Sequence, residues 1–327
     1  MSANEARLQE ALSKIAEIAS AAARGMESHD ESSHGGEAAA GGAEMPSCSV
    51  KAVPKRLTLK AADHAIGINP INAPARPLGA MGISAPSDPL SMAVMTGKYW
   101  GPTPRTLTVS FMESTPSDLR ARIVSHLNAW TRTGCITFAQ TQGTGQVRIS
   151  RGPGGYWSYL GTDVLLIPKN RPTMNLQSFT MSTAESEFKR VVRHEAGHTL
   201  GAPHEHMRKE LVARIDRQKA YDYFRRTQGW SQQQVDQQVL TPLDDRSIFG
   251  TPSDQTSIMC YQLPGAITKD GRPIVGGLDI NATDFGFIGR IYPKPGQGLM
   301  TTPDEMHAHD GGQADDWDAS EDVHVGG

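Results

Sequence analysis

The sequence has little of several things, and each shortage excludes a class of protein. Three cysteines in 327 residues, Cys48, Cys135 and Cys260, are too few and too odd in number for a disulfide-stapled scaffold. No apolar run approaches the roughly 18 residues that a membrane-crossing helix needs, so no transmembrane segment is expected. Basic charge is not in excess: 32 Lys and Arg stand against 35 Asp and Glu, which excludes a generally basic nucleic-acid binder. After Lys294 there is no Lys or Arg at all, while Asp304, Glu305, Asp310, Asp315, Asp316, Asp318, Glu321 and Asp322 contribute eight negative charges. Without them the net charge of −3 becomes +5, so the chain reads as a mildly basic body with an acidic, disordered tail over 296–327.

What is present divides the length unevenly. Residues 1–24 have no unbroken apolar core of a secretory signal, which leaves cytoplasmic residence and a signal-less export route both open. Leu8, Leu12, Ile15, Ala19 and Ala22 fall on one stripe instead, predicting an amphipathic helix that docks on a surface or contacts a partner. Residues 25–47 are Gly, Ala, Ser, Glu and His without pattern, a flexible linker. Residues 48–97 are rich in Pro and small residues and read as an extended, pro-like segment, with a hint of strand only at Arg56 to Lys60. From Lys98 the composition changes. Thr106 to Met112 alternates like a strand, and Ser117 to Thr131 reads as an amphipathic helix capped by Ser117. Ile136 to Ala139, Val147 to Ser150 and Val164 to Ile167 are three further strand candidates.

The chemistry concentrates at 194–204, which reads HEAGHTLGAPH. A helix leading into it is expected to start at a Ser182–Glu185 capping box and to bury Phe188, Val191 and Val192. His194 and His198, four residues apart on one helical face, can grip a single ion. Glu195, turned about 100° from His194, reaches a water on that ion without being a ligand. Gly201 lets the helix end in a left-handed turn, so His204 can complete the set. Three neutral imidazoles with a fourth position for water make a catalytic zinc site, not a structural one.

This extended motif resembles that of the metzincin zinc endopeptidases, and within them the astacin family. Ser257 to Tyr261 stands where the clan's methionine turn is wanted, with Met259 as its methionine. Glu205, His206 and Arg208 are similar to the family's continuation after the third histidine, Gly155 to Gly161 to its upper-rim strand, and Asp279 to Tyr292 to its closing helix. The resemblance implies an α+β, zincin-like fold over residues 98–295: a mixed twisted sheet with two long helices, an active-site helix and a C-terminal lobe with the Met-turn. It implies one catalytic zinc ion on His194, His198 and His204, with Glu195 as general base toward a polypeptide substrate. It also makes Tyr261 a resting-state zinc ligand and hydrogen-bond donor, Trp157, Ser158 and Tyr159 a substrate-binding strand, and Glu205 an anchor behind the ligands for a newly cut amino terminus. The chain departs from the family in having Tyr156 where a cysteine is usual, and in lacking the recognisable aspartate motif of the propeptide. Cys48 is read either as a thiol capping the zinc of a silent zymogen or as an incidental one. Cys260 is expected to be a small buried hydrophobe and His206 to be solvated or to back the ligands. The alternative to an endopeptidase is an inactive or latent zinc-binding module that binds peptides or partners without turnover.

Overall fold

Six strands, β1 (Cys48–Lys51), β2 (Arg105–Phe111), β3 (Ile136–Gln140), β4 (Val147–Ser150), β5 (Tyr156–Tyr159) and β6 (Met174–Leu176), form one sheet in the order β1-β5-β6-β4-β2-β3. The computed structural model describes residues 48–73, 96–242 and 253–296. The helix read over 1–24, the linker 25–47 and the acidic tail beyond Gly296 lie outside them. The sheet is mixed: β5 runs antiparallel to β6, while every other neighbouring pair is parallel. Alternation along β2 turns Leu107 and Val109 into the core, where they meet Phe138, Val147 and Ile149.

Helix α1 (Thr58–Ile68) contains residues that the sequence suggests as extended, and Arg56 to Lys60 are not a strand but the short 3-10 turn and first helical residues leading into it. Pro54 and Pro70 lie outside the helix, and Ala61, Ala62 and Ala65 give it a small buried face against the turn Gly161–Leu166. Helix α2 (Ser117–Leu127) buries Leu119, Ile123 and Leu127 in the main core, then tightens into a 3-10 turn over Asn128–Arg132 that buries Trp130. Ser117 is its first helical residue and not its cap, because Pro116, with φ −53°, takes the capping position. Helix α3 runs through Glu185–Glu187, Phe188–Val192 and Arg193–Thr199, its middle turn wound in the wider π geometry that recurs at functional sites. It is entered from Ala184, so the Ser182 capping box does not form; Phe188, Val191 and Val192 are buried as expected.

The expected strand at Val164 to Ile167 is instead the end of the 3-10 turn Gly161–Leu166 and the residue after it. Thr162 donates its N–H to Lys98 O at 3.0 Å, and Gly161, at φ +47°, packs on the Lys98 backbone. That contact draws the segment away from the sheet while Val164 stays buried. A second, smaller apolar cluster forms apart from the main core. It gathers Leu211, Ile215, Val239 and Leu240 with Phe224 of helix α4 (Arg217–Gln228), and it includes Cys48, Cys260 and Tyr261. Helix α5 (Ala282–Ile291) closes the described chain. All three cysteines are buried free thiols, and among the described residues no helix is long and apolar enough to cross a membrane.

Candidate active site

The pitch of α3 places His194 and His198 one turn apart on a fully enclosed face. Two tryptophans pin this stretch from outside: Trp130 Nε1 donates to Arg193 O and Trp100 Nε1 to Thr199 O, both at 2.8 Å. The helix then ends at Gly201, whose φ of +99° is the left-handed turn that the spacing anticipates. The chain doubles back and brings His204 against both helical histidines. His204 Nε2 lies 3.3 Å from His194 Nε2 and 3.0 Å from His198 Nε2.

The opposite ring nitrogens are spoken for. His194 Nδ1 donates to Ile258 O at 2.6 Å and His198 Nδ1 to Ala202 O at 2.8 Å, which leaves each Nε2 with its lone pair free. Burial holds all three imidazoles neutral, lowering His194 to about 4 and the other two well below the ordinary value. Three acceptor nitrogens converging within 4.8 Å at a buried point suit a cation, and imidazole donors in threes suit zinc. Beside the histidines lie the fully buried Glu195 carboxyl, with the Cys48 thiol against it, and the Tyr261 hydroxyl, a buried polar atom with no hydrogen bond among the described residues. The three-nitrogen donor set fits a bound metal, and the unpaired Tyr261 hydroxyl fits a reacting molecule beside it.

Burial pushes the Glu195 carboxyl up to about 8, while the Cys48 thiol and the charge of Arg190 act in the other direction. Tyr261 is buried with its ring centroid 4.2 Å from that of His204, and it stacks on His206 at 4.1 Å. His206 is not solvated: it is fully enclosed, its Nε2 donating to Gln238 O at 2.8 Å. Met259 lies directly under the helix, where a Cβ on Gly197 would run into its sulfur. Glu205 Oε1 accepts from Arg208 Nε at 2.9 Å and from Asp254 N at 3.1 Å, at the edge of a cavity of about 40 Å3. Along β5, Trp157 and Tyr159 are half-buried on one face, whereas Ser158 points inward, its hydroxyl 3.0 Å from that of Thr199. Ser158 therefore has only its backbone to offer a bound chain.

The sequence gives no strand signal at Cys48 to Lys51; its one hint is the lone thiol. These residues lie along the free edge of β5 in parallel register, Cys48 opposite Tyr156 and Lys51 opposite Tyr159. The Cys48 sulfur is within 4.8 Å of a His194 nitrogen and a Glu195 oxygen, and burial with the charge of Glu195 raises its thiol pKa well above the usual value. The Lys51 ammonium stands 5.2 Å above the Trp157 ring.

The family model for the astacin peptidases matches residues 94–275. The chain belongs to the astacin family. Zinc metalloproteinase nas-27 of Caenorhabditis elegans is 32% identical over 100 residues, which is 30% of this chain and 21% of that protein. The match thus spans about a fifth of the nematode relative's length. The structure of myroilysin superposes with a TM-score of 0.56 at 32% identity, covering 60% of this chain and 96% of the other. A hatching-enzyme zinc-protease of the medaka Oryzias latipes overlaps at a TM-score of 0.39 and 20% identity, over 56% and 86% of the two chains. Membership in this astacin family brings with it the mixed α+β fold, the zinc metalloprotease class and a catalytic zinc at the histidine cluster.

Proposed function

We propose that this astacin-family protein is an endopeptidase cutting within extended polypeptides, and that with β1 in place it is latent. One observation carries the reading: three neutral imidazoles converge beside the fully buried carboxyl of Glu195. His194, His198 and His204 would hold the zinc, which supplies Lewis acidity for a water and for the scissile carbonyl. Glu195 takes the proton of the attacking water and returns it to the leaving amine. The Tyr261 hydroxyl donates to the carbonyl oxygen as negative charge develops there. Met259 packs beneath the ligands and touches nothing that reacts. The edge of β5 at Trp157, Ser158 and Tyr159 receives the substrate backbone as an added strand. Glu205, bonded to Arg208 and the Asp254 backbone, braces the segment that follows His204.

The seating of β1 on that edge also favours a second reading, a zinc module that stays closed and never turns over. Casein digestion by the full-length chain and by a Cys48→Ala chain, each with and without a zinc chelator, separates the two. Chelator-sensitive digestion that rises in the Cys48→Ala chain is expected. Intact casein with stoichiometric zinc in both chains would hand the argument to the closed module.

A further inference from the structure

A strand added to a sheet edge satisfies only half of its peptide groups, because those of alternate residues point away from the neighbour. Val50 in β1 lies opposite Ser158, and its own peptide groups find a partner on the side away from β5. Its N–H donates to Gln238 Oε1 at 3.1 Å, and Gln238 Nε2 donates to its carbonyl at 3.2 Å. A carboxamide presents an acceptor and a donor on one planar group, as a peptide unit does. Gln238 is thus a one-residue substitute for a second strand facing β5. Its backbone is fixed: Val239 and Leu240 beside it are buried in the smaller apolar cluster, and its carbonyl accepts from His206 Nε2 at 2.8 Å. The main chain of β1 is thus held from both sides, by a strand on one and by one side chain on the other.

We propose that Gln238 is a substrate-positioning residue, holding the main chain of whatever polypeptide lies on β5: β1 in the latent chain, the substrate in the active one. This rests on the peptidase reading above. Contacts to N–H and C=O carry no preference for a side chain, so Gln238 sets register and depth and leaves sequence preference to other groups. Its grip falls two residues from Cys48, the residue lying against His194 and Glu195. The substrates it serves are therefore extended peptides reaching at least two residues beyond the scissile bond.

The test compares two full-length chains, Cys48→Ala with Lys51→Pro and the same chain with Gln238→Leu added, so that neither the thiol nor a seated β1 competes for the site. An octapeptide cut near its middle is the probe. KM is expected to rise about three- to tenfold, the range of one to two lost hydrogen bonds, with kcat within twofold and zinc content unchanged. Gln238→Glu, which keeps the acceptor for an N–H, should fall between, an ordering that a merely structural role would not produce. Hydrogen exchange at the Val50 amide, followed in the chain with Cys48 intact, should quicken with Gln238→Leu. An unchanged KM, or a fall in kcat alone, in chains that still cut the peptide would overturn the inference and leave the peptidase standing. A parent with Cys48→Ala and Lys51→Pro that cuts nothing would overturn the peptidase reading itself.

Discussion

Helix α3 and the turn Ser257–Tyr261 beneath it meet at the same metal site and are held in unlike ways. The helix is fixed by enclosure: Phe188, Val191, Val192 and Ala196 have no exposed surface. The turn hangs on one carboxylate of α5. Asp284 accepts from Ser257 Oγ at 2.6 Å and from Ile258 N and Asn281 N at 3.0 Å. From there the order passes upward, since Ile258 O receives His194 Nδ1 and Met259 O receives Glu205 N at 2.8 Å. Helical pitch thus decides where the imidazoles sit, and the turn decides which way the His194 ring faces. Position comes from apolar packing, orientation from a hydrogen-bond chain.

The strongest way to separate chemistry from both supports is Glu195→Gln. The carboxyl faces the Cys48 thiol and is bonded to no residue of the helix or the turn, so neither loses a contact. Peptide hydrolysis should fall by about 10²–10⁴-fold, the usual worth of a positioned general base, while zinc content measured by atomic absorption stays at one per chain. Hydrolysis at the parental rate would remove Glu195 from the mechanism.

Asp284→Ala attacks the turn and spares the helix. With Ser257 and Ile258 released, the Ile258 carbonyl no longer fixes the His194 ring, and zinc affinity should drop about 10- to 100-fold. Competition against a chromophoric chelator reads this directly. An unaltered affinity would mean that the ligand rings are oriented by the helix alone.

The same contrast explains which parts of the molecule are legible in the sequence. Four-residue spacing projects two rings to one side, and Gly201 permits one kind of turn, so His194, His198 and His204 follow from local rules. Strands β2, β3 and β4 and the buried face of α2 are equally legible, because alternation and helical periodicity are local. Asp284 is visible only as part of a family-like closing helix; nothing nearby in sequence says that its carboxylate carries a turn some 26 residues earlier. Val164 to Ile167 looks like a strand because burial leaves the same apolar signature in a 3-10 turn. Neither Cys48 to Lys51 nor Gln238 carries a pattern, since main-chain pairing makes no demand on side-chain type.

Gly197→Ala tests the surface where the two regions touch, and two effects oppose each other there. Helix propensity favours alanine over glycine by about 0.8–1 kcal/mol. Against it, the new methyl would run into Met259 Sδ and stand 3.2 Å from Trp130 Cζ2, an overpacking that costs about 1–3 kcal/mol. Net destabilisation is expected, seen as a lower midpoint in urea unfolding. A midpoint that rises would show that the turn gives way at no cost and that the contact is loose.

Met259→Leu should do least. Leucine keeps the volume and loses only the sulfur and one rotatable bond, so under about 1.5 kcal/mol is expected, with hydrolysis close to parental. Its value lies in combination with Gly197→Ala. If the helix and the turn press on each other at this one contact, the branched leucine relieves or worsens the clash, and the two changes fail to add by about 0.5 kcal/mol or more. Additive unfolding energies in that cycle would place the coupling between the regions wholly in the Asp284–Ile258–His194 chain of hydrogen bonds, with the methionine serving as filler.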